Sequence, residues 1–370
     1  MMPTSALWQF SLNYGHALIW AGSLLLILFL GVRYLSTRQL ALLTTIITFA
    51  LVVLGAYVRL SDAGLGCPDW PGCYGALSPE HAKSNIAAAQ SVAPSGPVSL
   101  PKAWKEMAHR YIASLVGALI VAIVLSVLLN RRRLRDMGAP ECRSAMPFLL
   151  LGMVILQGLF GKWTVTLKLY PAVVTGHLLG GMMLLALLTL YTLHQYRVRP
   201  TTPKLRPTAL FALLLLVLQI ALGGWVSTNY AAPACGELPL CQGQIAPPMQ
   251  FEEAFQIDRA LGMNANGQPL SVQALTAIHW THRMFALLVF VFLAALVIKL
   301  LRSPGLRGIG AGLGLTLLAQ IAFGLTLVYA MTSSHLHLGW QLPIAAAHNA
   351  GAALLLVWLT VLNYRAFTRT

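Results

Sequence analysis

The feature that most constrains this chain is its recurrence of long apolar runs. Nine fall at about residues 16–32, 40–58, 107–130, 147–166, 172–193, 208–226, 276–300, 308–330 and 343–363. A helix that crosses the hydrocarbon core needs about 20 such residues. Inside lipid every backbone N–H and C=O must be paired within the chain, so runs of this length are expected to be helices. Composition agrees. Charged residues make up 9% of the 370, against about a quarter in soluble domains. A soluble enzyme and a disordered chain are excluded, and the expected fold is an all-α polytopic membrane protein.

Lys and Arg number 25 against 10 acids, a net charge of +15. Their positions explain the excess without nucleic acid. If the nine helices alternate in direction, sixteen bases share one side with Asp136 and Glu141, giving +14 there and +1 on the other side. By the positive-inside rule the basic side is cytoplasmic. The N-terminus is then outside, the C-terminus inside, and the two long connections, about 59–104 and 227–272, are outside. The first run has no basic leader and no clear small-residue cleavage site before Arg33, which favours a retained helix over a signal peptide.

The chain also repeats itself. Gly55-Ala56-Tyr57-Val58 is followed by Cys67 and Cys73, and Gly223-Gly224-Trp225-Val226 is followed by Cys235 and Cys241, all at an offset of 168. His109-Arg110 and His282-Arg283 are offset by 173, and His177 and His348 by 171. An even number of helices per unit gives parallel copies. The expected organisation is an extra N-terminal helix in 1–38, a first four-helix-bundle repeat in 39–200 and a second in 201–370.

His109, His177, His282 and His348 each lie near the outer end of an even-numbered helix of the repeats. Ionisable residues within a span are costly and usually functional. One such histidine is most simply an interfacial residue; four at equivalent depth point to axial heme ligands on facing helices. Two bis-histidine sites are expected, His109 with His177 and His282 with His348. Zinc fits less well, because neither half supplies further ligands at metal spacing. Arg110 and Arg283 could meet heme propionates or snorkel to headgroups. Glu106 stands three residues before His109, where the second repeat has His279. A carboxyl in one repeat alone suggests one reactive site and one electron-transfer site, with Glu106 handling protons. The other reading makes it a solvated acid at a helix start.

Cys67 to Cys73 and Cys235 to Cys241 each enclose five residues in loops on the oxidising side, so two within-loop disulfides are expected, structural or redox-active. Cys142 lies on the reducing side and reads as an ordinary thiol. His335 and His337 read as loop polarity, and His16, His81 and His194 receive no assignment.

The run Val58-Arg59-Leu60-Ser61-Asp62-Ala63-Gly64-Leu65-Gly66-Cys67-Pro68-Asp69-Trp70-Pro71-Gly72-Cys73, with Glu106-x-x-His109-Arg110 and the later histidines, resembles the heme A synthase family over about 40–363. The resemblance implies a bacterial inner-membrane enzyme that oxidises the C8 methyl of heme O to a formyl group, through an alcohol, for terminal cytochrome oxidases. It implies heme O as substrate at His109 and His177, heme b as cofactor at His282 and His348, and Glu106 as the catalytic acid–base. It leaves the electron acceptor and oxygen source open, allows a heme O-producing farnesyltransferase and a homo-oligomer as partners, and calls for eight helices where nine runs are read. The alternative from the residues alone is a bis-histidine diheme cytochrome b that takes electrons from quinol. A transporter fits poorly, since the polar groups lie near one face and no run has a midpoint break.

Overall fold

The structure, a computed structural model, describes residues 19, 21–132, 145–196, 203–332 and 338–367. The main helices are α1 (Ala21–Tyr34), α2 (Thr37–Leu60), α3 (Lys83–Val92), α4 (Leu100–Leu129), α5 (Met146–Thr166), α6 (Pro171–Gln195), α7 (Arg206–Thr228), α8 (Val272–Leu301), α9 (Arg307–Thr332) and α10 (Leu338–Phe367). Among the described residues, α2 and α4 to α10 supply eight helices long and apolar enough to cross a membrane. The expected run at 16–32 corresponds to α1, whose described part is shorter than a span. Residues 1–18 lie outside the described set.

Several helices extend well beyond their apolar runs, because polar residues cap them. Ser99 takes the Lys102 N–H at the start of α4, and Pro101 occupies the first turn, where no amide hydrogen is needed. Ser271 takes the Ala274 N–H at the start of α8. His109 and His282 therefore sit more than two turns inside their helices, deeper than a reading of the apolar runs places them.

The spans pack in two sets of four. In one, α2 packs on α4 and α6, and α5 packs on the same two. In the other, α7 packs on α8 and α10, and α9 packs on the same two. Contacts of α10 with α2 and α6, and of α6 with α7, join the sets. Each set has its own buried core, built around Leu40, Ile120, Leu150 and Leu188 in the first and Leu293, Leu313, Leu356 and Leu359 in the second. Lipid tails are as apolar as these side chains, so close packing rather than water exclusion holds the helices together. These residues lie toward the end of the bundle opposite the cysteine loops, and the histidines occupy the other half of the spans.

The loops at the histidine end correspond closely. A tight turn pairs Cys73 with Ala76, and another pairs Cys241 with Gln244. In each turn both central residues have positive φ: Tyr74 at 51° and Gly75 at 73°, Gln242 at 53° and Gly243 at 72°. The Asp69 carboxylate accepts the N–H groups of Tyr74 and Gly75, and Glu237, at the matching place, accepts that of Gly243. Between the sets, Arg59 donates to the Ser227 carbonyl at 2.7 Å and lies over the Tyr230 ring, while the Tyr230 hydroxyl donates to Asp62 at 2.8 Å. Each of these hydrogen-bonded pairs is 168 residues apart, the offset seen in the sequence.

Candidate functional site

His109 on α4 and His177 on α6 face one another, with ring centroids 6.5 Å apart and ring planes at 84°. The Nδ1 of each is buried without a hydrogen-bond partner. Buried polar atoms are normally paired, so the two orphans mark rings whose far nitrogens nothing in the protein holds. Imidazole nitrogens bind a first-row metal at about 2.0–2.1 Å, and two such bonds plus the two ring radii come to about 6.3 Å. The observed separation fits two imidazoles sharing one metal. His282 on α8 and His348 on α10 take the corresponding places on the helices of the second set.

Each histidine rests against a glycine of a neighbouring helix. An added Cβ at Gly55 would lie 3.0 Å from Cε1 of His109, at Gly223 3.0 Å from that of His282, and at Gly324 3.1 Å from that of His348. At Gly161 it would lie 3.6 Å from that of His177, which is ordinary contact. Four imidazoles are thus seated in four glycine cradles on α2, α5, α7 and α9. Sequence reading used Gly55 and Gly223 only as repeat landmarks and missed this role. The signal was present, since a glycine occurs at the matching place in every odd-numbered helix of the repeats.

Four residues before the cradle stands Gln157 on α5, Gln219 on α7 and Gln320 on α9, also missed, and Leu51 on α2. Gln219 Nε2 lies 3.1 Å from His282 Nδ1. His348 Nδ1 lies 3.1 Å from the Gln320 carbonyl, and the Gln320 side chain lies 3.3 Å from Nε2 of the same ring. Gln157 and Gln320 pack against Gly180 and Gly351, each three residues past its histidine.

Glu106 is 7% exposed, not a solvated acid at a helix start. Arg110, one turn on, contacts its Oε1 through Nη2 at 3.0 Å and Nε at 3.1 Å. His279, at the matching position, is 5% exposed and its Nδ1 has no partner. The two arginines are committed to the cysteine loops. Arg110 donates to the carbonyls of Asp69 and Gly72, and Arg283 to those of Cys235, Pro239 and Leu240. Disulfides join Cys67 to Cys73 and Cys235 to Cys241, as the loop spacing led one to expect. Each bridged loop is therefore fastened to the residue that follows a candidate ligand. His16, His335, His337 and Cys142 lie outside the described residues. His81 and His194 fall in segments apart from the histidine pairs.

A family model described as cytochrome oxidase assembly protein matches residues 38–360. The heme A synthase of Shewanella oneidensis is 38% identical over 330 residues, covering 87% of this chain and 94% of that protein. The heme A synthase of Caulobacter vibrioides is 29% identical over 337 residues, covering 86% and 92%. That of Methylobacterium radiotolerans is 26% identical over 339 residues, covering 84% and 85%. The match to the family model runs over nearly the whole chain and takes in all four cradled histidines, both arginine-anchored loops and Glu106, so this protein belongs to the heme A synthase family of cytochrome oxidase assembly proteins.

Proposed function

We propose that the chain is a heme A synthase, an oxidoreductase of the bacterial inner membrane that converts the C8 methyl of heme O to a formyl group through an alcohol. The observation that carries this reading is the joint presence of two cradled histidine pairs and one buried carboxylate beside the first pair alone. A cytochrome that only relayed electrons would have no use for that asymmetry. On this reading the repeats are 39–200 and 201–370, with the first holding the substrate and the second the cofactor. His109 and His177 hold heme O, and His282 and His348 hold heme b. The bound heme b supplies one-electron redox chemistry.

The protein's own residues then have separable tasks. The glycine cradles fix the depth and rotation of the rings. Oxidising a methyl group releases protons with the electrons, and Glu106 accepts them. Both of its contacts with Arg110 go to Oε1, which leaves Oε2 as the oxygen that takes a proton. Arg110 and Arg283 bring positive charge beside the two sites, where it offsets the carboxylates of a heme. Their N–H groups stay bonded to loop carbonyls, so charge rather than direct contact supports that role.

Chromatography of hemes extracted from membranes tests the assignment. Glu106→Gln keeps the size and hydrogen-bonding reach but cannot take a proton. Membranes carrying it should retain both hemes yet accumulate heme O or the alcohol in place of heme A. His279→Gln should be much milder. Normal heme A from Glu106→Gln together with loss in His279→Gln would reverse the roles of the two halves.

A further inference from the structure

The two histidine pairs differ in what holds their far ring nitrogens. In the second set both Nδ1 atoms have partners at 3.1 Å, the Gln219 side chain for His282 and the Gln320 carbonyl for His348. In the first set neither Nδ1 has one. For the histidines of α4 and α8 the difference traces to one position on α2 and α7. Gln219 stands four residues before the Gly223 cradle, and Leu51 stands four residues before Gly55, 168 residues earlier. Leucine has no group to offer His109. Gln157 occupies the remaining matching place, packed on Gly180, while His177 Nδ1 stays unpaired.

A histidine that binds metal through Nε2 carries its proton on Nδ1, and the acceptor of that proton fixes the ring and raises its basicity. The Gln320 carbonyl already accepts in that sense. The Gln219 amide oxygen has no partner of its own, and a half-turn of the amide, which gives up the 3.3 Å contact of Nε2 with the His282 carbonyl, brings that oxygen onto His282 Nδ1. We infer that Gln219 is a positioning residue that tethers His282 so that the second pair keeps its heme, and that Leu51 leaves His109 untethered so that the first pair releases its heme after reaction. This rests on the proposed assignment of substrate to the first pair and cofactor to the second. An enzyme whose substrate and product are both hemes needs one site that lets go and one that does not, and the exchange of Leu51 for Gln219 divides that task between the two sites.

The test uses the full-length purified protein in detergent, challenged with excess apomyoglobin as heme acceptor. Gln219→Met keeps the volume and removes the acceptor. It should release heme from the second site about 10–100-fold faster, the usual effect of losing such a partner. Its midpoint potential should rise, because a less basic imidazole stabilises ferric iron less. Gln219→Glu, which restores an acceptor, should return both toward wild type. Leu51→Gln should slow release from the first site, and it decides the matter if Gln219→Met does not fold. Unchanged release rate and potential in Gln219→Met, or unchanged release in Leu51→Gln, overturns the tether. His282→Ala and His109→Ala separate this from failure of the underlying assignment. If the slowly released heme survives in His282→Ala and is lost in His109→Ala, the assignment of the two halves falls, and the tether with it.

Discussion

Glycine in the middle of a helix is disfavoured by about 1 kcal/mol relative to alanine, so a glycine kept at each of four matching helix positions needs a compensating use. The use here is room for an imidazole. Space differs among the cradles, which turns the idea into a graded prediction. At Gly55 and Gly223 an alanine methyl would stand 3.0 Å from a ring carbon, so Gly55→Ala and Gly223→Ala should displace His109 and His282. Gly161→Ala, with 3.6 Å to spare, should be tolerated. Absorption spectra of the purified variants check this. Loss of the low-spin bis-histidine signal from the affected site is expected for the first two, and a near-wild-type spectrum for the third. Equal spectra in all three would mean that the rings move aside freely and the glycines serve helix packing alone.

Serine caps set where α4 and α8 begin, and so how far along each helix its ligand histidine stands. α8 begins on Ser271, whose hydroxyl both accepts from Ala274 N and donates to the Glu253 carboxylate. Ser271→Ala should cost about 1 kcal/mol, the usual price of a lost N-cap, seen as a lower thermal midpoint. The hydrogen bond from Ser271 also holds the Glu253 carboxyl below its usual range. A carboxyl with a lowered folded-state pKa contributes stability above its unfolded value, and that contribution is lost as pH falls through the folded value. The gap between wild type and Ser271→Ala should therefore narrow as pH falls below about 4. A gap that stays constant with pH would show that only the cap matters. The apolar runs made the spans themselves legible in the sequence, because hydrocarbon length dictates helix length. They could not show the extra turns of α4 and α8, which are held by serine caps outside the apolar stretch. The ligand histidines were legible through their repetition. Gln219 was not, because a glutamine in an apolar run carries meaning only once its partner across the helix interface is known.

Across the whole molecule the sign of charge should report orientation. The segments 59–104 and 227–272 carry the bridged cysteines, and alternating spans would put +14 on the side of Arg131 and Arg132. Single cysteines introduced into 227–272 of a variant lacking the native ones should react with an impermeant reagent in intact cells, and one beside Arg131 should not. The reverse pattern would invert the topology. The clasp between the two sets, where Arg59 meets Ser227 and Asp62 meets Tyr230, bears on how such a molecule could arise. Were the two halves separate copies of one ancestral subunit, residue 62 would face its own duplicate across the symmetry axis, and two aspartates there would repel. Only where the two copies differ at this position can one present the acid and the other the phenol that binds it. The clasp is thus a seam that works only because the partners are different residues, and a half-length gene expressed alone would present each seam residue with its twin in place of its mate.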